Sequence, residues 1–473
     1  MRIIFPLPNC PSFVTTLFAS LLVLLWTGAS HAGLSDAVKM QKLGNGMTVL
    51  VLENHKAPVA TFNIFFKVGS RNEQFGKTGL SHLVEHMMFR GTKKLKPEEF
   101  SNIIQQNGGM DNAFTTADFT DYFEVINRDH LDVPISLEAD RMANFAPKGF
   151  DSEKAVVMEE RRMRTDDNPE DALSELTQAQ AYLAHPYHWP VIGWMHDIQG
   201  LTLDDVLAYH NVYYKPQNAI AVAVGDFDAD KVLKQISEDF DGVKNGPKPP
   251  LVTEVEPPQE GPRQLMMRHA ADVPAFAEAF HVPNFKNTSD AFALEIASEI
   301  LSDGKSSRLY KSVVIDRRMA VDIDASYDMT SFDPGLFWIS AQLRPGVKTD
   351  DVLAEIDRQL AALRDKPVGE QELRKAKNLE QADFVFSQDS IFREAMLLGL
   401  YQMLGDYRMV DQYLPNIEKV TPADIQRVAK QYLVENNRTL GILIPTGVLP
   451  PGAGGGGPSG GAIHHVQDDE AMR

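Results

Sequence analysis

The sequence predicts an α+β protein of two domains, each about 200 residues long, and three features of the chain carry that prediction. Apolar residues alternate over 47–52 and 60–68, as strands require, and longer runs with helical periodicity follow from Pro97, His130, Ser152 and Thr202. The same order returns in the second half. There, strands are expected over 275–280, 320–327 and 335–343, with helices over 290–301, 306–315 and 350–363 and another from Glu370 onward. Between the halves, Gly246, Pro247, Pro249 and Pro250, then Pro257, Pro258 and Pro262, bound a stretch with few apolar residues, which reads as a linker over 246–262. The first domain is expected over 33–245 and the second over 263–449.

The two ends of the chain read differently from its body. Arg2 is the only charge before a largely apolar stretch over 13–26, and Ser30, His31 and Ala32 offer a small-residue cleavage site, so 1–32 is expected to be a signal peptide. The apolar run is too short and interrupted to cross a bilayer, which implies export to the periplasm and no membrane span in the mature form. Cys10, the sole cysteine, lies in that segment, so the mature chain has no disulfide and relies on its cores and a metal. The tail over 450–473 is glycine-rich and reads as disordered, with His464 and His465 incidental to it. The formal charge is −19, which disfavours nucleic acid and anionic membrane surfaces as partners.

His82-Leu83-Val84-Glu85-His86 carries the most chemical information. With 3.6 residues per turn, positions i, i+3 and i+4 share a helix face, so both imidazoles can reach one ion while Glu85 stays beside it. Ser81 is the expected N-cap and Gly91 the expected stop. Neutral imidazole suits Zn²⁺, and a catalytic zinc keeps three protein ligands with one position open. This helix offers two, so a third must come from another element. Glu85 is the candidate general base, and the inverted H-x-x-E-H order is a zinc-peptidase signature. Rival chemistries fail: there is no G-x-S-x-G elbow, and Gly304-Lys305-Ser306 lacks the upstream glycine of a phosphate loop, Glu299 standing there instead. His185, His188 and His196, among Tyr187, Trp189 and Trp194, read as a packed aromatic loop.

From His82 to Thr92 the sequence resembles the signature of the pitrilysin, insulin-degrading enzyme and mitochondrial processing peptidase family of zinc metallopeptidases, and the resemblance extends over nearly the whole mature chain. It implies one Zn²⁺ per chain on His82, His86 and a glutamate from another helix. Glu160, 74 residues after His86 and seven after Glu153, takes that place, with Glu153 as the acid that orients a ligand and Glu159 on a solvated face. Asn112, Ala113 and Phe114 match an edge strand to which an extended peptide substrate adds itself. The resemblance further implies that the two domains are diverged copies of one α/β-sandwich-like fold, an antiparallel-rich sheet covered by helices. Together they would form half of a clamshell chamber.

One departure stands out. The family usually carries, in its second half, an Arg and a Tyr seven residues apart that hold the substrate carbonyl. Aligning Met319-Ala320-Val321 with that pattern puts Val314 and Val321 at the two positions, and no Arg and Tyr at that spacing occur between Ser302 and Thr330. The expected function is therefore a zinc endopeptidase or oligopeptidase acting on short or unfolded peptides, with Glu85 as base, as the zinc-bearing subunit of a heterodimer. A homologous partner chain would supply the Arg/Tyr pair, whereas a homodimer would repeat the defect. The alternative is a non-catalytic scaffold or peptide-binding subunit that keeps the fold.

Overall fold

A computed structural model describes residues 33–447; the expected signal peptide with Cys10, and the tail with His464 and His465, lie outside the described residues. Six strands form the first sheet: β1 (Lys39–Lys42), β2 (Thr48–Glu53), β3 (Val59–Phe66), β4 (Met110–Thr115), β5 (Thr120–Asn127) and β6 (Ala219–Gly225), in the order β1-β2-β6-β3-β5-β4. Five form the second: β7 (Arg263–His269), β8 (Ala275–Val282), β9 (Ala320–Tyr327), β10 (Gly335–Leu343) and β11 (Arg438–Pro445), in the order β7-β11-β8-β10-β9. Pairing is antiparallel except between β2 and β6 and between β7 and β11.

The second sheet repeats the first. β7, β11, β8, β10 and β9 stand where β2, β6, β3, β5 and β4 stand, with the same parallel pair in the same place. The lead-in to the late central strand is repeated in its side chains. Thr202 and Thr421 each cap a helix through an Asp at N3, Asp205 and Asp424. Asn218 and Asn437 then each donate to two carbonyls: Tyr213 and Lys67 at 2.9 and 3.2 Å in one domain, Tyr432 and His281 at 2.8 Å in the other.

Residues 246–262 contain no helix or strand, but the halves are interlocked rather than merely strung together. The helix Pro169–Ala181, from the first half, packs on β7, β8 and β11, and the helix Ile391–Leu404, from the second, packs on β3 and β6. This explains why β3 is buried on both faces. Phe62, Ile64 and Phe66 enter the first-domain core, while Phe65 turns the other way to Ala395 and Leu398. At both crossings a glycine lets the surfaces meet: a Cβ on Gly399 would lie 2.2 Å from the Phe65 ring, and one on Gly441 would lie 2.0 Å from Thr177 Oγ1. No helix among the described residues is long and apolar enough to cross a membrane.

Most strands and helices fall where periodicity places them, within two or three residues. The segment expected as a helix over 306–315 differs, forming a π-helical turn at Tyr310–Asp316. Both exchanged helices escape the sequence reading. Adding a methyl at Gly399 or Gly441 overpacks a crossing, so Gly399→Ala and Gly441→Ala should each cost about 1–3 kcal/mol. A denaturant midpoint that stays put in both variants would show that neither helix is seated on the opposite sheet.

Candidate metal centre

The helix Leu80–Met88 carries His82, Glu85 and His86, and its start is not capped as the sequence suggested. Ser81 lies inside the helix, buried, its Oγ 2.8 Å from Tyr209 Oη. The cap is instead Glu73, six residues before the helix boundary at Gly79, whose carboxylate accepts the amides of Gly79 and Ser81 at 2.8 and 2.6 Å. An anion at the positive end of the helix dipole satisfies amides that have no intrahelical partner. Burial nevertheless pushes the Glu73 carboxyl up to about 8. Gly79 has φ +82, and a Cβ there would lie 2.4 Å from the Ile192 carbonyl, so only glycine permits this entry.

Glu160 arrives from the helix Phe150–Arg161. Its Oε2 lies 3.2 Å from Nε2 of His86 and 3.6 Å from Nε2 of His82. Glu153, two turns earlier, has Oε1 at 3.0 Å from Nδ1 of His86 and so fixes which ring nitrogen faces inward. Glu159 is exposed and paired with Arg162. Among the described residues, His82, His86 and Glu160 are the one group of three metal-ligating side chains whose donor atoms all fall within 4.8 Å of one another. Two imidazole nitrogens and one carboxylate oxygen turned to a common point fit a tetrahedral Zn²⁺ with its fourth position open.

Electrostatics separate the two glutamates. Burial pushes Glu85 up to about 7, against the hydrogen bond that its Oε2 accepts from Thr115 Oγ1 at 2.5 Å. Burial would raise Glu160 too, but the hydrogen bond from His86 and the charges of His82 and Arg164 hold it down at about 2. Burial drives His82 down to about 3. His86 is raised to about 9, because bonds to Glu153 and Glu160 outweigh its burial.

The edge-strand residues stand beside this centre. β4 pairs only with β5 in the sheet, so its other main-chain edge has no sheet partner among the described residues. Ala113 packs with the first-domain core, whereas Phe114 points to the opposite face, against Phe119. Thr115, sharing the face of Ala113, reaches Glu85; strand period two could have singled it out, had the sequence revealed that the helix lies against that face. Arg164, whose Nε is 3.1 Å from Glu160 Oε1, was also missed. Val314 is buried in the π-helical turn, and Val321 is 49% exposed on β9, the second sheet's edge. His185 and His188 belong to the aromatic loop, bonded to Asp333 at 3.1 Å and to the Tyr182 carbonyl at 2.9 Å.

The second domain shows the same scaffold with other side chains. The buried row Leu83, Val84, Met87, Met88 recurs as Ile296, Ala297, Ile300, Leu301 in the helix Thr288–Ser302, which sets Glu295, Ser298 and Glu299 against His82, Glu85 and His86. Glu380 follows Gly369 by eleven residues, as Glu160 follows Gly149. Burial and the neighbouring carboxylates of Asp303 and Glu380 push Glu299 up to about 9, and Glu295 is raised likewise.

Zinc must displace the proton that His86 holds below about pH 9, while His82, pushed down to about 3, has none to lose. Affinity should therefore rise about tenfold per pH unit toward that value and level off above it, with at least one proton released per ion at neutral pH. Titration calorimetry in buffers of different protonation enthalpy reads both quantities. A constant independent of pH in the neutral range would show that His86 is not held protonated there by Glu153 and Glu160.

The comparisons with known proteins give the family. The profile of "Insulinase (Peptidase family M16)" matches residues 48–193, and that of "Peptidase M16 inactive domain" matches 200–380. The zinc protease PqqE of Helicobacter pylori is 35% identical over 435 residues, covering 90% of this chain and 97% of that protein. An uncharacterized zinc protease of Streptomyces coelicolor is 27% identical over 405 residues, covering 84% and 87%. The crystal structure of a protease from Helicobacter pylori matches with a TM-score of 0.83 at 34% identity, over 86% of this chain and 99% of that one. With motif, fold and relatives in agreement, the chain belongs to the insulinase family, peptidase family M16.

Proposed function

We propose that this protein is a zinc-dependent peptidase that cuts short or unfolded peptides, and one observation carries the reading: His82, His86 and Glu160 converge beside a buried glutamate and an unpaired strand edge. An extended peptide adds to the main chain of Asn112, Ala113 and Phe114, which aligns its scissile carbonyl with the centre. Zinc, when held there, supplies Lewis acidity, polarising the carbonyl and easing ionisation of water. Glu85 accepts the proton of the attacking water and passes it to the leaving amine, a task for which a carboxyl near neutrality is suited. Thr115 holds Glu85 toward the strand edge. Glu153 keeps the His86 ring in place.

The electrophilic half is thinner. Neither Val314 nor Val321 can donate a hydrogen bond to a developing oxyanion, which supports two readings. In the first, a homologous chain supplies an Arg/Tyr pair across a heterodimer, both exported to the periplasm. In the second, the chain is a non-catalytic scaffold that binds peptides. An intact base beside an intact ligand set favours the first, since binding alone needs neither.

Glu85→Gln preserves shape and ligands, so zinc should still bind at one per chain while turnover falls about 10²- to 10⁴-fold. Glu160→Gln should instead lose zinc, and Glu159→Gln should do neither. Zinc content and peptide cleavage are read on the same preparations, and cleavage that survives Glu85→Gln would refute the proposed base. The partner is tested separately. Alone, the chain should cleave about 10²- to 10³-fold more slowly than when mixed with the Arg/Tyr-bearing chain. Full turnover from the isolated chain, with no second species in native mass spectrometry, would exclude the heterodimer.

A further inference from the structure

Opposite the imidazoles, the Glu160 carboxylate has a neighbour that the mechanism above leaves idle. Arg164 lies one turn beyond Glu160, where the helix Phe150–Arg161 passes into the π-helical turn Arg162–Asp166. Such turns are rare and occur frequently at functional sites. Its Nε is committed inward, 3.1 Å from Glu160 Oε1, yet the side chain is 75% exposed against 18% for Glu160. Among the described residues its Nη1 and Nη2 donate no hydrogen bond, while its charge also acts on the carboxyl of Asp171. The guanidinium thus stands largely exposed at the rim of the centre.

Neighbouring arginines do not offer the same thing. Arg90 is held between Glu98 and Glu153, and Arg162 is paired with Glu159. Val156 and Met163, four residues before and three after Glu160, are exposed apolar side chains on the face that carries Glu160. An exposed cationic fork flanked by apolar surface, beside the centre at which cleavage is proposed, suits recognition of a substrate carboxylate.

We propose that Arg164 is a specificity-determining residue: its outer guanidinium edge binds a carboxylate of the peptide close to the bond being cut. The inference rests on the peptidase reading above. A guanidinium stays charged at every working pH, and its planar fork matches a carboxylate with two parallel bonds. The net charge of −19 repels acidic peptides overall, so any preference for them must arise locally. The carboxylate can come from an acidic side chain or from the C-terminus, and the two sources are separable.

The test uses the full zinc-loaded chain carrying Glu85→Gln, so that peptides stay intact and binding is read by fluorescence anisotropy. Labelled peptides come in matched pairs: Glu against Gln beside the cut position, and free C-terminus against amide. The carboxylate member of one pair should bind about tenfold more tightly, the modest gain of an exposed bidentate pair, and that pair identifies the source. Adding Arg164→Gln, with zinc kept saturating in every measurement because Arg164 also touches Glu160, should erase the difference between the members of that pair while the amide and Gln peptides keep their relative affinities. Arg164→Glu should reverse the preference toward a Lys peptide. Equal binding of both members in both pairs would overturn the proposal. So would a uniform loss across all peptides with Arg164→Gln at saturating zinc, which would make Arg164 a residue that merely orients Glu160. Because binding is measured without turnover, a wild-type chain that fails to cut peptides would reject the peptidase reading and leave the Arg164 result standing.

Discussion

Glu160 can face two imidazoles only if two helices from distant parts of the chain meet at a fixed spacing, and much of the first domain serves that requirement. The helix Leu80–Met88 has nine residues, too few to be stable alone. It is held by the buried Glu73 carboxylate at its start and by Leu83, Val84, Met87 and Met88 in the core. The Gly193 segment ties it to its partner. Gly193 lies against Gly79 at the entrance of the histidine helix, and its carbonyl accepts a bond at 2.8 Å from Arg161, the residue after Glu160. Arg161 is further clamped by both oxygens of Glu175 at 2.8–2.9 Å. A side chain at either glycine would separate the helices, and with them the donor atoms.

Duplication shows how much of this is scaffold and how little is chemistry. The second domain repeats strand order, the capped helix before the late strand and the asparagine that closes it, yet Glu295, Glu299 and Glu380 replace two imidazoles and one carboxylate. Burial first, and then the crowding of acids, favours proton retention there and raises the Glu295 and Glu299 carboxyls. Imidazole in the same two places gives neutral donors that need lose only one proton to accept a cation. Two of the three candidate ligand positions thus differ between the domains, imidazole in the first and carboxyl in the second, while the third is glutamate in both.

The local part of the site was legible in the sequence because its geometry is local. His82, Glu85 and His86 share a face by helical period alone, whatever the rest of the chain does. Glu160 is different: 74 residues separate it from His86, and no periodicity connects them, so only resemblance to a family supplied it. Strands and helices with clear periods were equally legible, 320–327 and 335–343 to the residue. The exchanged helices were not. An amphipathic pattern over Ile391–Leu404 says that a face is buried but not on whose sheet, and Gly399 against Phe65 is a contact across 334 residues. The cap is a similar case: Ser81 has the right chemistry, but the helix begins one residue before it, and a buried carboxylate outside the helix takes the amides of Gly79 and Ser81.

Two carboxylates within one small volume are driven in opposite directions, and that divergence is what gives the proposed roles physical content. Glu160 is held ionised by the imidazoles and by Arg164, which suits a ligand that must not compete for protons. Glu85, buried and with a single hydroxyl donor from Thr115, sits near neutrality, where a group can both take and return a proton. The difference comes from position on the helices rather than from residue type. Thr115 also places the base at the end of the edge strand to which a peptide would add, so the strand that would align a substrate is the strand that holds the base. Any shift of β4 relative to the histidine helix would therefore disturb substrate alignment and proton transfer together.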